Sequence, residues 1–181
     1  MEKYRLIEGI GVYYVTFTVV EWLPVFIDES SCKIITDSLN FCIEKKNLRV
    51  IAYVIMPTHL HAIVFDKEFD NKSLKQTLDD MRKFTGRQLA DHCGQKSLQA
   101  FSETFRARAG KDRERRFWQP TQHPVGLFTE KVFVQKVNYI HWNPCRKGLV
   151  RKPVDWRFSS AGFWMKDLES DVKLCGIGWE Q

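Results

Sequence analysis

The sequence predicts an α+β domain in which one antiparallel sheet carries helices on one face. Three observations lead there. Segments rich in β-branched and aromatic residues recur at 11–20, 48–56 and 59–66. Two segments with apolar residues at helical intervals, 30–46 and 71–93, alternate with them. Only Pro57 and Thr58 separate the second and third strands, and such a break makes a hairpin.

Each element has a local reason. "GVYYVTFTVV" (11–20) alternates and reads as a first strand. In 30–46, Ile34, Ile35, Leu39 and Cys42 fall at helical spacing, with a serine available as the cap. "LRVIAYVIM" (48–56) and "HLHAIVFD" (59–66) are the hairpin strands. In "NKSLKQTLDDMRKFTGRQLADHC" (71–93), Leu74, Leu78, Met81 and Leu89 lie along an apolar stripe decorated by Lys72, Lys75, Arg82, Lys83 and Arg87. Residues 94–115 read as a polar, basic connection. "RFWQPTQHPVGLF" (116–128) is expected to hold an edge strand, because Pro120 and Pro124 exclude a central one. "TEKVFVQKVNYIHWN" (129–143) is a helix capped by Thr129 and ended by Pro144. The segment 145–181 has no clear period, and its Trp156, Phe158, Phe163 and Trp164 suggest that it packs on the core. The order β-α-β-β-α-β followed by a helix is that of a ferredoxin-like, split βαβ sheet, over one domain spanning 1–181. That topology serves many functions and decides none.

Composition narrows the function classes. The chain has 181 residues, a net charge of +6 and a pI near 9.1, which favours a polyanionic partner. Residues 106–116, "RARAGKDRERR", hold six basic and two acidic side chains; a solvated loop and a phosphate-contacting arm are both open readings. No stretch has the apolar length of a membrane span, and "MEKYRLIEGI" lacks the charged-then-apolar pattern of a secretory signal, so a cytoplasmic protein with no membrane partner is expected. Five cysteines without a CxxC spacing read as reduced thiols rather than a disulfide framework or a zinc ribbon.

The chemistry concentrates in two places. In a strand, residues i and i+2 share a face, so His59 and His61 project together while Leu60, Ala62 and Val64 point the other way. Two such imidazoles can converge on one divalent metal, yet alone they make an incomplete site. The helix 129–143 offers the remainder. Phe133, Val137 and Ile140 form its apolar stripe. Tyr139 lies about 130° round from the stripe's centre at 100° per residue, sharing its face with Lys136 and Asn143. A phenol there, beside a metal held by His59, His61 and the Asn143 amide oxygen, suits attack on a phosphodiester. Two imidazoles and an amide add no negative charge, which points to Mg²⁺ or Mn²⁺ more than to a structural zinc. Lys136 is a candidate to steady the phenolate or bind phosphate. Arg82, Lys83 and Arg87, with Arg113, Arg115 and Arg116 of the basic arm, are candidate DNA-backbone contacts. His141 points away from Tyr139 and is expected at the surface, and His123, beside Pro124, in a loop.

"MPTHLHAIV" resembles the HUH motif of single-tyrosine transposases, two histidines flanking one apolar residue. "YIHWNPCRKGLV" resembles their tyrosine-helix motif. "DWRFSS" and "RFWQP" resemble the aromatic-Ser-Ser and Trp-Gln segments of the REP-associated tyrosine transposases. The four motifs occur in family order across residues 50–160. The resemblance implies a metal-dependent enzyme on a ferredoxin-like sheet that cleaves and rejoins single-stranded DNA beside hairpins. Its tyrosine forms a covalent 5′-phosphotyrosine and releases a 3′-OH. Carried onto this sequence, Tyr139 is the nucleophile, His59 and His61 are metal ligands, and Asn143 matches the third ligand. Thr58 departs from the Asn or Glu common before the first histidine. Relatives include monomers and homodimers that exchange the tyrosine helix, and both states are open here.

Two other classes compete. A non-catalytic module that binds single-stranded or hairpin nucleic acid explains the charge and the aromatics, but not His59, His61, Tyr139 and Asn143 together. A hydrolase of small phosphoesters needs a water nucleophile and more carboxylates near the histidines than the sequence offers.

Overall fold

The computed structural model describes residues 11–96, 98–111, 113–120 and 124–177. Its elements are β1 (Val12–Thr18), α1 (Glu29–Lys45), β2 (Leu48–Met56), β3 (His59–Asp66), α2 (Asn71–Gln95), α3 (Gln99–Ala107), β4 (Val125–Gly126), α4 (Glu130–Arg146) and α5 (Ala161–Lys166). The sheet order is β2-β3-β1-β4, every pair antiparallel. This is the expected ferredoxin-like order, with β1 and β3 at the centre.

The period of two along the central strands divides the molecule into two cores. Tyr13, Val15 and Phe17 of β1 and Leu60, Ala62 and Val64 of β3 meet Ile35 and Leu39 of α1 and Leu74, Leu78 and Met81 of α2. The two crossover helices therefore share one face. Val12, Tyr14, Val54, Met56, Ile63 and Phe65 form the opposite face, where Val132, Phe133, Val137 and Ile140 of α4 cover them. The helix that follows the last strand thus lies across the sheet from the crossover helices, with Trp156, Cys175 and Ile177 packed on the same cluster.

Helix ends follow capping chemistry. Thr129 accepts from Val132 N–H, as its position predicts. For α1 the cap is Asp28 rather than a serine: its carboxylate accepts from Ser31 N–H at 2.8 Å. Asp70 opens α2 by accepting from Lys72 and Ser73. Pro144 does not end α4. The helix runs two residues further, and the chain turns at Gly148, whose φ of 70° the left-handed region reserves largely for glycine.

The connection 94–115 is more structured than its polar sequence predicts. It contains α3, which spaces Leu98, Phe101 and Phe105 so that all three meet the α1–α2 core. Phe105 is fully buried against Phe117, with ring centroids 5.1 Å apart. Arg116 N–H then donates to the Phe105 carbonyl, which folds the basic arm back on this helix.

Phe117–Gln119 and Val125–Leu127 run beside β1, as the expected edge strand does, in two short pieces. On the other edge the C-terminal segment lies along β2. Ile55 N–H donates to Phe158 O, Ser160 N–H to Tyr53 O and Cys175 N–H to Val50 O, at 2.9–3.0 Å. The indole N–H groups of Trp156 and Trp164 donate to Ile55 O and Ile51 O. Strand edges left open invite association with other chains, so this covering also keeps β2 from pairing elsewhere. Among the described residues no helix is long and apolar enough to cross a membrane, and all five cysteines are free.

Replacing Phe105 with alanine opens a cavity under α3 and should lower stability by about 3–5 kcal/mol. Phe41→Ala, at an exposed position, should cost under about 0.5 kcal/mol. Urea unfolding midpoints of the two variants check this, and equal midpoints would show that α3 is not part of the cooperative core.

Candidate active site on the α4 face

The register of β1 against β3 builds the site. Thr16 pairs with His61 and Thr18 with His59. The even residues of β1 and the odd residues of β3 therefore share the α4 face. His59 and His61 are buried side by side, ring centroids 4.5 Å apart and planes at 67°. His61 Nδ1 lies 2.7 Å from the Tyr14 hydroxyl and 2.8 Å from the Thr16 hydroxyl. His59 Nδ1 lies 2.8 Å from the hydroxyl of Thr58, the residue that departs from the common pattern of the motif. Hydroxyls on the Nδ1 side orient both rings.

Electrostatics keep the pair neutral. Burial pushes His59 down to about 4, with the charge of Lys147 adding. Burial pushes His61 down to about 3, and His59 and Lys136 push the same way. Burial raises Tyr14 well above the ordinary phenol, so it stays protonated and offers His61 a neutral hydroxyl. In the Nδ1–H tautomer, in which Nδ1 donates to a hydroxyl oxygen, Nε2 carries a free lone pair.

His61 Nε2 and Asn143 Oδ1 are both buried without a hydrogen-bond partner. Buried polar atoms are rarely left so, and two acceptors orphaned on one face fit a cation. Among the described residues no cluster of three or more His, Cys, Asp or Glu side chains can hold a metal. Beside the two histidines, the buried donor from another chemical class is the Asn143 amide oxygen. The donor set, two neutral imidazoles and an amide, fits a divalent ion that brings its remaining oxygen ligands from water or phosphate.

Tyr139 stands at the rim, 39% exposed. Its ring centroid is 5.5 Å from His61 and 6.2 Å from Tyr14. Two cations of its own helix flank it. Lys136 Nζ is 5.8 Å from the Tyr139 centroid and 4.5 Å from that of Tyr14, and Arg146 Cζ is 5.4 Å from Tyr139. Sequence reasoning found Lys136 at i−3 and missed Arg146. Its signal was the i+7 spacing, two helical turns on along the same face. It also missed Tyr14 and Thr16, which only strand pairing brings to His61.

His141 is not a surface residue. It is buried, and its Nε2 lies 2.9 Å from the Ser160 hydroxyl, which also accepts from Tyr53 N–H. Its helical angle does point away from Tyr139, but toward the C-terminal segment rather than solvent. The Ser-Ser segment thereby ties α4 to β2. Burial pushes His141 down to about 4. His123 lies outside the described residues.

The other six candidate DNA contacts gather elsewhere. Arg82, Lys83, Arg87, Arg113, Arg115 and Arg116 line one cleft of about 620 Å³ between α2 and the 113–120 segment. Arg82 belongs to the α1–α2 side: it sits 5.4 Å from the Phe17 ring centroid and donates to Gln119 O. Arg115 pairs with Asp91 at 2.7 Å. Of the seven cations expected at DNA, only Lys136 shares the face of the histidines and Tyr139.

Three buried neutral histidines make stability depend on pH. Their folded values lie below the ordinary 6.5, so the unfolded chain binds more protons beneath that point. In metal-free buffer stability is full above about 6.5 and is lost as pH falls toward 4, at roughly 1–2 kcal/mol per histidine by pH 5. Urea midpoints at pH 7.5 and 5.0 should differ accordingly, and His141→Gln should shrink the difference by about a third. Identical midpoints for the parent chain would contradict the buried neutral state.

No family model and no curated protein matches the chain. Solved structures do. A REP-associated tyrosine transposase bound to a REP hairpin aligns over 99% of this chain and 95% of its own, with a TM-score of 0.62 and 17% identity. A protein from Deinococcus radiodurans R1 described as a transposase aligns over 77% of this chain and 95% of its own, with a TM-score of 0.47 and 17% identity, a likeness that adds no weight. With its four-stranded antiparallel sheet, two crossover helices on one face and a tyrosine helix on the other, the chain has the fold of a REP-associated tyrosine transposase.

Proposed function

We propose that the chain is a single-tyrosine transposase of the REP-associated type, which cleaves and rejoins single-stranded DNA next to a hairpin. The observation that carries this reading is the pair of orphaned buried acceptors, His61 Nε2 and Asn143 Oδ1, on the face where Tyr139 stands 5.5 Å from His61. The shared fold with a hairpin-bound transposase, the four motifs in order and the basic charge support it.

His59, His61 and Asn143 would hold Mg²⁺ or Mn²⁺, which when bound polarises the scissile phosphate and offsets charge developing on it. The protein's own groups do the rest. Tyr139 Oη attacks phosphorus. An O–P bond forms to the phenol, the bond to the 3′ oxygen breaks, and that oxygen takes a proton and leaves as a 3′-OH. The phenol proton leaves to water, to which the half-exposed ring is open. Lys136 and Arg146 flank the tyrosine with positive charge, where they favour the phenolate and the incoming phosphate together. The 5′-phosphotyrosine keeps the energy of the broken ester, so a second 3′-OH reverses the step and joins strands. Tyr14 and Thr16 hold His61, and Thr58 holds His59, in one ring orientation throughout.

Labelled single-stranded hairpin DNA from the flanks of the gene tests the chemistry. With Mg²⁺ or Mn²⁺ the label should stay on the protein through denaturing electrophoresis, and Tyr139→Phe and His59→Ala should each abolish it. Lys136→Met and Arg146→Met should slow adduct formation by about 10- to 1000-fold without abolishing it. Small-phosphoester hydrolysis that survives Tyr139→Phe would favour the hydrolase instead.

The metal has a readout apart from activity. Ligands that bind only the folded state raise its stability. Mn²⁺ should raise the Tm of the parent chain, while Asn143→Leu should unfold at or above the metal-free parent Tm and gain nothing from Mn²⁺. The first half follows because the substitution removes a buried unpartnered amide oxygen. An equal Mn²⁺ gain in both would remove Asn143 from the ligand set.

A second reading has its own support. The six-cation cleft lies on the α1–α2 side, away from Tyr139, and suits a phosphate backbone without any chemistry. Retarded DNA in a native gel, with no adduct over several flanking hairpins and both metals, would favour this binding protein derived from a transposase.

A further inference from the structure

Between β1 and α1 the chain makes a tight turn at Val20–Trp22. Glu21 and Trp22 both adopt left-handed backbone, with φ of 52° and 55°. Two consecutive non-glycine residues in that region are costly, and such strain persists only where the surroundings over-determine it. They do so here. Val20 is buried and its N–H donates to Phe117 O, Val19 N–H donates to Thr58 O, and Trp22 N–H donates to Val19 O, at 2.8–3.0 Å. The Glu21 carboxylate pairs with Arg108 of the helix C-cap at 2.9 Å.

The strained turn presents an indole to solvent. Trp22 is 58% exposed. Its ring meets His59 edge to face, centroids 5.8 Å apart and planes at 81°. Among the described residues no ring stacks on it in parallel, and its N–H has no hydrogen-bond partner. The contrast with Trp118, Trp156 and Trp164 is plain: each of their indole N–H groups donates inside the protein. A side chain placed only for packing would be buried, and one placed only for solubility would not be a tryptophan.

We propose that Trp22 is a stacking platform for one nucleobase of single-stranded DNA beside the histidine–tyrosine site. The inference rests on the DNA-cleaving reading above and adds to it a base contact next to the scissile phosphate. The ligand is an unpaired base of any identity, because every base offers a π-face and stacking tolerates sequence. The platform works by geometry: its turn is braced by Phe117, Thr58 and Arg108, and His59 links it directly to the candidate metal site. A base laid on the indole carries its own phosphate toward the histidine pair. The competing role is a mere cover over His59, and an apolar residue of similar bulk would serve that equally well.

The experiment uses the full chain carrying Tyr139→Phe, so that DNA is bound and not consumed. Polarisation of a labelled oligonucleotide, a flanking hairpin with a single-stranded tail, gives Kd at several salt concentrations for this parent, for Trp22→Leu and for Trp22→Tyr. Trp22→Leu should weaken binding roughly 5- to 100-fold at every salt concentration. The slope of log Kd against log salt should not change, since no phosphate contact is lost. Trp22→Tyr should stay within about threefold of the parent, because a phenol ring also stacks. An abasic site walked along the tail should weaken the parent at one position and leave Trp22→Leu unaffected there. Equal Kd for parent and Trp22→Leu, additive losses at every abasic position, or a parent that binds no single strand would each overturn the platform. Adduct formation by the chain with Tyr139 intact reports separately on the cleavage reading. An adduct with Trp22→Leu binding as the parent does would sink the platform alone.

Discussion

The pairing of β1 with β3 is the constraint on which the other features depend. Its register sets Thr16 opposite His61 and Thr18 opposite His59. Because side chains alternate along a strand, a slip of one residue would send Tyr14, Thr16 or both histidines to the other core. Burial on both faces forbids that slip. Phe17 and Leu60 belong under α1 and α2, and Tyr14 and Ile63 under α4. The same apolar packing that stabilises the sheet thus fixes polar groups to within hydrogen-bond distance of one another. His61 gains two hydroxyls at its Nδ1 as a consequence of register, with no loop involved.

Placing the tyrosine is a second, separate task, and α4 accomplishes it from the opposite side of the sheet to the crossover helices. Val132, Phe133, Val137 and Ile140 dock the helix, while His141 bonded to Ser160 sets its roll. Ser160 is itself anchored to the Tyr53 backbone of β2, so the C-terminal segment connects an edge strand to the tyrosine helix. A segment without periodicity thereby does two things. It caps the unpaired edge of β2, and it fixes the helix face that carries Lys136, Tyr139, Asn143 and Arg146.

Positive charge is divided between the two sides. Lys136 and Arg146 stand at Tyr139, where charge would develop in the proposed attack on a phosphate. Six further cations line the cleft between α2 and the 113–120 segment. Arg82 is engaged by Gln119 O, Arg115 by Asp91 and Arg116 by Ala109 O, so they also hold the cleft together.

Much of this was legible in the sequence, because it depends on local periods. A period of two put His59 and His61 on one face, and helical spacing put Lys136, Tyr139 and Asn143 on another. Thr129 announced the start of α4, and Leu98, Phe101 and Phe105 carried the signal for α3 that the surrounding polar residues hid. Tertiary structure decided everything that joins distant parts of the chain. Tyr14 and His61 are 47 residues apart, Tyr53 and Ser160 are 107 apart, and no local pattern relates them. His141 shows the limit. Its angle away from Tyr139 was readable from its position in the helix. Whether solvent or a serine lay in that direction was settled only by the return of the C-terminal segment along β2, since a helix period describes faces and never what packs against them.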